Sequence, residues 1–426
     1  MRYNGPVKQW GIGHMPSLET FRLRQLNPAA LATERRAHIP QQFSLFIHLW
    51  RILAVAAVFV GHATKPDILF DVDVAILGRA TIPSFLVISG FFATLSMSSG
   101  GRFIKKVARR YYTMLAMFIP AMVLIFFMDL YMIHVDAPIL ALDKFDPSMS
   151  FEGILFDIFN LLTFSGEYWS LSTFGQGVFS NQAIWIIDYI MAYTVMTAAI
   201  YLLSGWIRVT VLLAAVAIAG FPVLLLAPLW FAGVLAFEVQ RRSFGTDGVE
   251  PDRWHPITLA GRLGISLSSA DAKKLAFMAI AAAVLASVWV EVSGAGEAAY
   301  FWSKTLAPHD VRQYLGMAKR YPWQWIHVPS LFVVICAARL IFDGHVAKKF
   351  LRPIQIASQY TFPIFALHFS TMYFLQALMP DYMPRHDALD PYVMIASTFV
   401  ICVAYGYLFF RYVRPYSDAL SRKLFG

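Results

Sequence analysis

The chain is poor in charge and almost without cysteine. Only 14% of its 426 residues are Asp, Glu, Lys or Arg, against about a quarter in soluble proteins, which argues against a mainly water-facing globular surface. Cysteine occurs twice, at Cys336 and Cys402, both inside apolar runs, so neither a disulfide framework nor a cysteine-based metal site is expected, and no metal site is assigned. Residues 1–42 hold no apolar core segment and predict a cytoplasmic tail rather than a cleavable signal. The net charge of +9 is spread between apolar segments rather than gathered into a basic domain, so nucleic acid is not an expected partner. No convincing internal repeat is found, which weighs against the repeat-built transporter folds.

What is abundant is apolar. Hydrophobic residues make up 58% of the chain, in long runs from residue 43 to residue 411, and several runs reach the roughly 20 residues that cross a bilayer. The expected fold is all-α: a polytopic helical membrane protein of about ten transmembrane helices, with the lipid bilayer as a partner. Spans are predicted near 43–63, 74–97, 111–133, 183–204, 209–226, 228–240, 275–292, 327–343, 357–379 and 391–411. This gives a tail over 1–42, a membrane domain over 43–411 and a short cytoplasmic tail over 412–426. The run "GILFDIFNLLTF" (153–164) is too short to cross and predicts an interfacial or re-entrant segment. With both termini cytoplasmic, the inner segments hold 25 Lys and Arg and the outer segments 7, as the positive-inside rule requires. Outer-loop aromatics such as Tyr168, Trp169, Trp302 and Trp323 suit an interfacial belt better than a sugar-stacking platform.

Charges inside spans are costly and call for a polar interior. In "LWRILAVAAVFVGHATK" (49–65), Arg51 and His62 are eleven residues apart, so a helix carries both on one stripe about 16 Å apart along its axis. His62 is either an interfacial side chain or a general base. Arg51 either pairs with a nearby acid, or orients an anion or a developing oxyanion. Arg79, Asp129, Asp188, Glu238, Arg339 and His368 are further ionisable groups within predicted spans, and together they imply a wet or ligand-filled cavity. Between two spans, Arg102, Lys105, Lys106, Arg109 and Arg110 form a basic loop without an acid. Such a cluster can bind phosphates, obey the positive-inside rule, or touch anionic lipid.

Three blocks resemble the acyltransferase-3 family of integral membrane acyltransferases. Arg51 and His62 fit the family's R-x10-H pattern. "FLVISGFF" followed by "RFIKKVARRYY" is similar to its F-F-V-x-S-G-F segment and F-x-x-R-R-x-x-R loop, with Lys105 and Lys106 where a pair of arginines is usual. "LRPIQIASQYTFPIFALHFS" (351–370) is similar to its late S-Y-S-L-Y-L-x-H segment, with His368 at the histidine. The family's W-x-L-x-x-E block is poorly matched by "NQAIWIIDYIMAY" (181–193), where Asp188 is the nearest acid and lies out of register. The resemblance implies transfer of an acyl group, acetyl or succinyl, from acyl-coenzyme A to a hydroxyl of a carbohydrate or glycan, in a bacterial inner membrane and without a bound cofactor. It implies that the 102–110 cations meet the coenzyme phosphates, that His62 takes the acceptor's proton, and that Arg51 orients the thioester or steadies the tetrahedral intermediate. Arg79, His368 and Asp188 are further candidate site residues. The competing reading is a proton-coupled transporter, with Arg51, Arg79 and Arg339 binding an anion and His62 relaying protons. A third is a catalytically dead scaffold or sensor.

Overall fold

Apolar residues with few breaks give long helices, because in lipid every backbone N–H and C=O must be satisfied within the segment. The computed structural model describes residues 39–63, 81–137, 150–170, 178–244, 268–306, 315–378 and 390–425, and among these there is no β-strand beyond an isolated bridge between Val178 and Asn181. The helices are α1 (Gln41–Ala63), α2 (Thr81–Ser98), α3 (Phe103–His134), α4 (Phe151–Thr163), α5 (Trp185–Leu202), α6 (Gly205–Ala219), α7 (Phe221–Phe244), α8 (Ser269–Val292), α9 (Ala295–Leu306), α10 (Tyr321–Ile326), α11 (Val328–Ile341), α12 (Lys348–Leu378), α13 (Asp390–Leu408) and α14 (Arg414–Phe425). Among the described residues, seven segments are long and apolar enough to cross a membrane, and the bent pair 318–326 and 328–341, with an angle of 53° between its halves, makes an eighth if it is one span. Of the other two predicted crossings, α6 has only 15 residues, and α12 has 31 but a polar first half.

The core forms where α2 meets α7, with α1 and α3 against α12, α5 against α2, and α8 against α11. Small residues allow the first of these contacts. A Cβ on Gly90 would run into the Trp230 carbonyl, and one on Gly233 into that of Val87, so the two backbones touch as small-residue membrane interfaces do. The α4 helix leaves Phe151, Leu155, Ile158, Phe159 and Leu162 exposed along 13 residues.

Three boundaries differ from expectation. The break predicted between 226 and 228 falls at Gly220 instead, and Pro228 lies inside α7. Gly220 has φ +82, a conformation that suits glycine, and a Cβ there would strike the Trp169 ring. Trp169 Nε1 and Ser170 Oγ each donate at 2.6 Å to the last carbonyls of α6, those of Ala217 and Ile218. The basic loop predicted over 98–110 is mostly helix: the turn ends at Gly100 and Gly101, with φ +72 and +118, and α3 begins at Phe103. Residues 414–425, expected as part of a short tail, form α14 against α3, joined to α13 by a π-helical turn, Phe409–Val413.

Candidate active site

Because α3 starts so early, Arg102, Lys105, Lys106, Arg109 and Arg110 follow i, i+3, i+4, i+7, i+8 spacing and share one helical face. That face lines a cavity of about 1740 Å³ between α1, α2, α3, α5, α6, α12 and α14. Arg51 lines it too, so the cavity gathers six permanent cations, and no carboxylate is among its lining residues. The acid partner considered for Arg51 is not found among the described residues. Its guanidinium instead lies over the Phe362 ring of α12, 4.4 Å from the centroid, a cation–π contact, and is close enough to Arg110 for the two charges to repel. Lys106 is partly committed to structure: its Nζ donates to Ser96 O at 2.7 Å and to Ser99 Oγ at 2.9 Å, satisfying the C-terminal end of α2.

The cavity also contains His48, which sequence reasoning missed. Its Nδ1 is 2.9 Å from Ser358 Oγ, and its ring lies 5.9 Å from that of Phe92. The signal was present: His48 is one turn before Arg51, on the stripe that carries Arg51 and His62.

His62 is not among the cavity's lining residues. It sits in the last turn of α1, half-buried, with its ring 5.2 Å from that of His368 on α12 and 5.1 Å from that of Phe369. The structure therefore joins the first and third sequence blocks at a pair of histidines. His368 Nδ1 lies 3.0 Å from Phe365 O and 3.2 Å from Ile364 O. Carbonyls only accept, so Nδ1 carries the proton and Nε2 of the neutral ring is the basic nitrogen. The turn at 178–181 borders this pair: Asn181 Nδ2 donates to Ala366 O at 2.9 Å, while Asp129 accepts from Ser180 N and Asp157 from Phe179 N.

Asp188 belongs to neither place. Its carboxylate accepts from the backbone N–H groups of Gly166 and Glu167, Tyr168 Oη donates to its carbonyl at 3.0 Å, and Tyr189 Oη donates to Glu167. It holds the 164–169 turn in place, where burial raises the Tyr168 phenol above its ordinary value. Glu238 receives Tyr201 Oη at 2.5 Å and pairs with Arg241 at 2.9 Å. Asp129, Asp188 and Glu238 thus have local structural partners and are not among the residues that line the cation cavity. Arg79 lies outside the described residues.

A profile of the acyltransferase domain matches residues 44–411. The chain belongs to the acyltransferase-3 family. No curated protein and no solved structure gives a match. The family match runs from the start of α1 to the π-turn after α13, so it includes Arg51, His62, the basic face of α3 and His368. Membership makes the protein a membrane-embedded acyltransferase, with an acyl donor and an acceptor.

Proposed function

We propose that the protein is an O-acyltransferase that moves an acetyl or succinyl group from acyl-coenzyme A to a hydroxyl of a carbohydrate or glycan. One observation carries the donor assignment: six cations and no carboxylate line one cavity of about 1740 Å³. Pockets for drug-sized ligands are about 300–1,000 Å³, so a nucleotide-sized donor fits, and its phosphates are the natural partners of Arg and Lys. The seven apolar segments, the bent pair, α6 and α12 make ten crossings, with both termini and the cavity mouth in the cytoplasm of a bacterial cell. The excess of Lys and Arg in the inner segments supports this orientation.

Arg51 and His62 are about 16 Å apart along α1, which favours separate tasks. Arg51 holds the phosphate-bearing part of the donor in the cation cavity. His62, beside His368, takes the proton of the acceptor hydroxyl as its oxygen attacks the thioester carbon. The tetrahedral intermediate collapses by breaking the C–S bond, and the thiolate leaving group is then protonated.

The test is mass spectrometry of surface and periplasmic glycans from a deletion strain rescued with the natural protein or with His62→Ala, at equal membrane expression. Restoration of an acyl mass increment by the natural protein alone is expected. Equal restoration by both would remove His62 as the essential base. No increment in any strain, with substrate uptake by vesicles lacking an acyl donor, would favour the transport reading.

A further inference from the structure

The C-terminal helix α14 reaches the cavity although it lies beyond the family match, which ends at residue 411. The π-turn Phe409–Val413 carries α13 into α14 as one continuous helical run, Tyr392–Phe425. Arg414 then fixes the start of α14: its Nη1 donates to Gln359 Oε1 at 2.6 Å, and its Nε lies 3.6 Å from Asp418. Ser417 and Ser421 are buried, and the helix packs along α3. Its last turn brings Leu424 and Phe425 into the lining of the cation cavity. The Phe425 ring is half-buried, with its centroid 6.3 Å from that of Tyr112 on α3.

Phe92, Phe103 and Phe362 also line the cavity, and two of them are engaged by other side chains. Phe362 lies under the Arg51 guanidinium, and Phe92 packs against His48 and Phe91. Phe425, like its neighbour Leu424, enters the lining from α14, and its ring lies near Tyr112 on α3. Cations together with an aromatic face are what a nucleotide needs: charge for its phosphates and a flat apolar surface for its base.

We propose that α14 completes the donor site, and that Phe425 stacks on the purine of a nucleotide-bearing acyl donor, selecting it over donors that carry phosphopantetheine alone. This rests on the acyl-coenzyme A reading above. Ring stacking is worth roughly 1–3 kcal/mol per base by alanine substitution, and about 1.4 kcal/mol is tenfold in affinity.

The experiment compares the full-length natural protein, Phe425→Ala and Phe425→Trp in lipid nanodiscs. Equilibrium binding is measured for coenzyme A, adenosine 3′,5′-bisphosphate and 4′-phosphopantetheine. Phe425→Ala is expected to weaken the first two about tenfold and to change the third less than about twofold, with Phe425→Trp restoring natural affinity. Equal weakening of all three ligands would make Phe425 a prop for the cavity wall and overturn the proposal, as would no change for any. If the natural protein binds none of the three, the donor reading itself falls. Binding of phosphopantetheine but not of adenosine bisphosphate would overturn the stacking proposal alone.

Discussion

The separation of Arg51 from His62 makes the two residues separable by experiment. Arg51 lines the cation cavity, whereas His62 packs on His368 and is not among the lining residues. Eleven residues of helix put about 16 Å between them. Replacing Arg51 with Ala removes a charge-assisted hydrogen bond to the donor, worth about 1.5–3 kcal/mol, so coenzyme A should bind about ten- to a hundredfold more weakly. Arg51→Lys keeps the charge but loses the planar fork, and should fall between. His62→Ala should alter coenzyme A affinity by less than about twofold while abolishing transfer to the acceptor, because the base acts at the acceptor hydroxyl. Mutations more than about 7–10 Å apart without shared partners add to within about 0.5 kcal/mol, so the double variant should show the sum of the single effects. The assay is calorimetric titration of coenzyme A into each variant in nanodiscs at one fixed salt concentration, followed by single-turnover acyl transfer. The reasoning is refuted if His62→Ala weakens donor binding as much as Arg51→Ala, or if the two changes couple by more than about 1 kcal/mol.

Two further outcomes follow from packing and hydrogen bonding. Gly233→Ala should destabilise the protein by about 3 kcal/mol, the upper end for overpacking, because the new methyl meets the Val87 carbonyl rather than a flexible side chain. Gly294→Ala, with φ +71 and open space around it, should cost only about 1 kcal/mol; thermal unfolding in detergent compares them, and equal shifts would refute the close-contact argument. In the coenzyme A titration, Lys106→Ala should cost less than about threefold and Arg109→Ala about tenfold, since Lys106 Nζ already donates to Ser96 and Ser99; the reverse order would show that Lys106 turns to the donor.

Much of the helical fold is legible because hydrophobic runs are local signals. The Gly220 break is not, because it depends on Trp169 and Ser170 some fifty residues earlier. The cation cluster was legible as charge but was read as a loop, although its i, i+3, i+4, i+7 spacing already described one face of a helix. Helical arithmetic tied Arg51 to His62, and the same arithmetic would have found His48. The fate of the buried acids could not be read from sequence. One oxygen of Asp129 accepts from the backbone of Ser180, and Asp188 accepts from that of Gly166 and Glu167, and no residue pattern announces a backbone N–H.

The cations without carboxylates bear on turnover. With the proposed coenzyme thioester as donor they address its phosphates, which acyl transfer leaves untouched. Binding energy collected there is the same for donor, transition state and spent coenzyme, so it secures the donor without lowering the chemical barrier. The spent coenzyme therefore leaves the cavity against the same attraction that brought the donor in, and competes with each new donor for it. On the proposed reading the ratio of acylated to free coenzyme, rather than donor concentration alone, sets how often the cavity holds an acyl group to deliver.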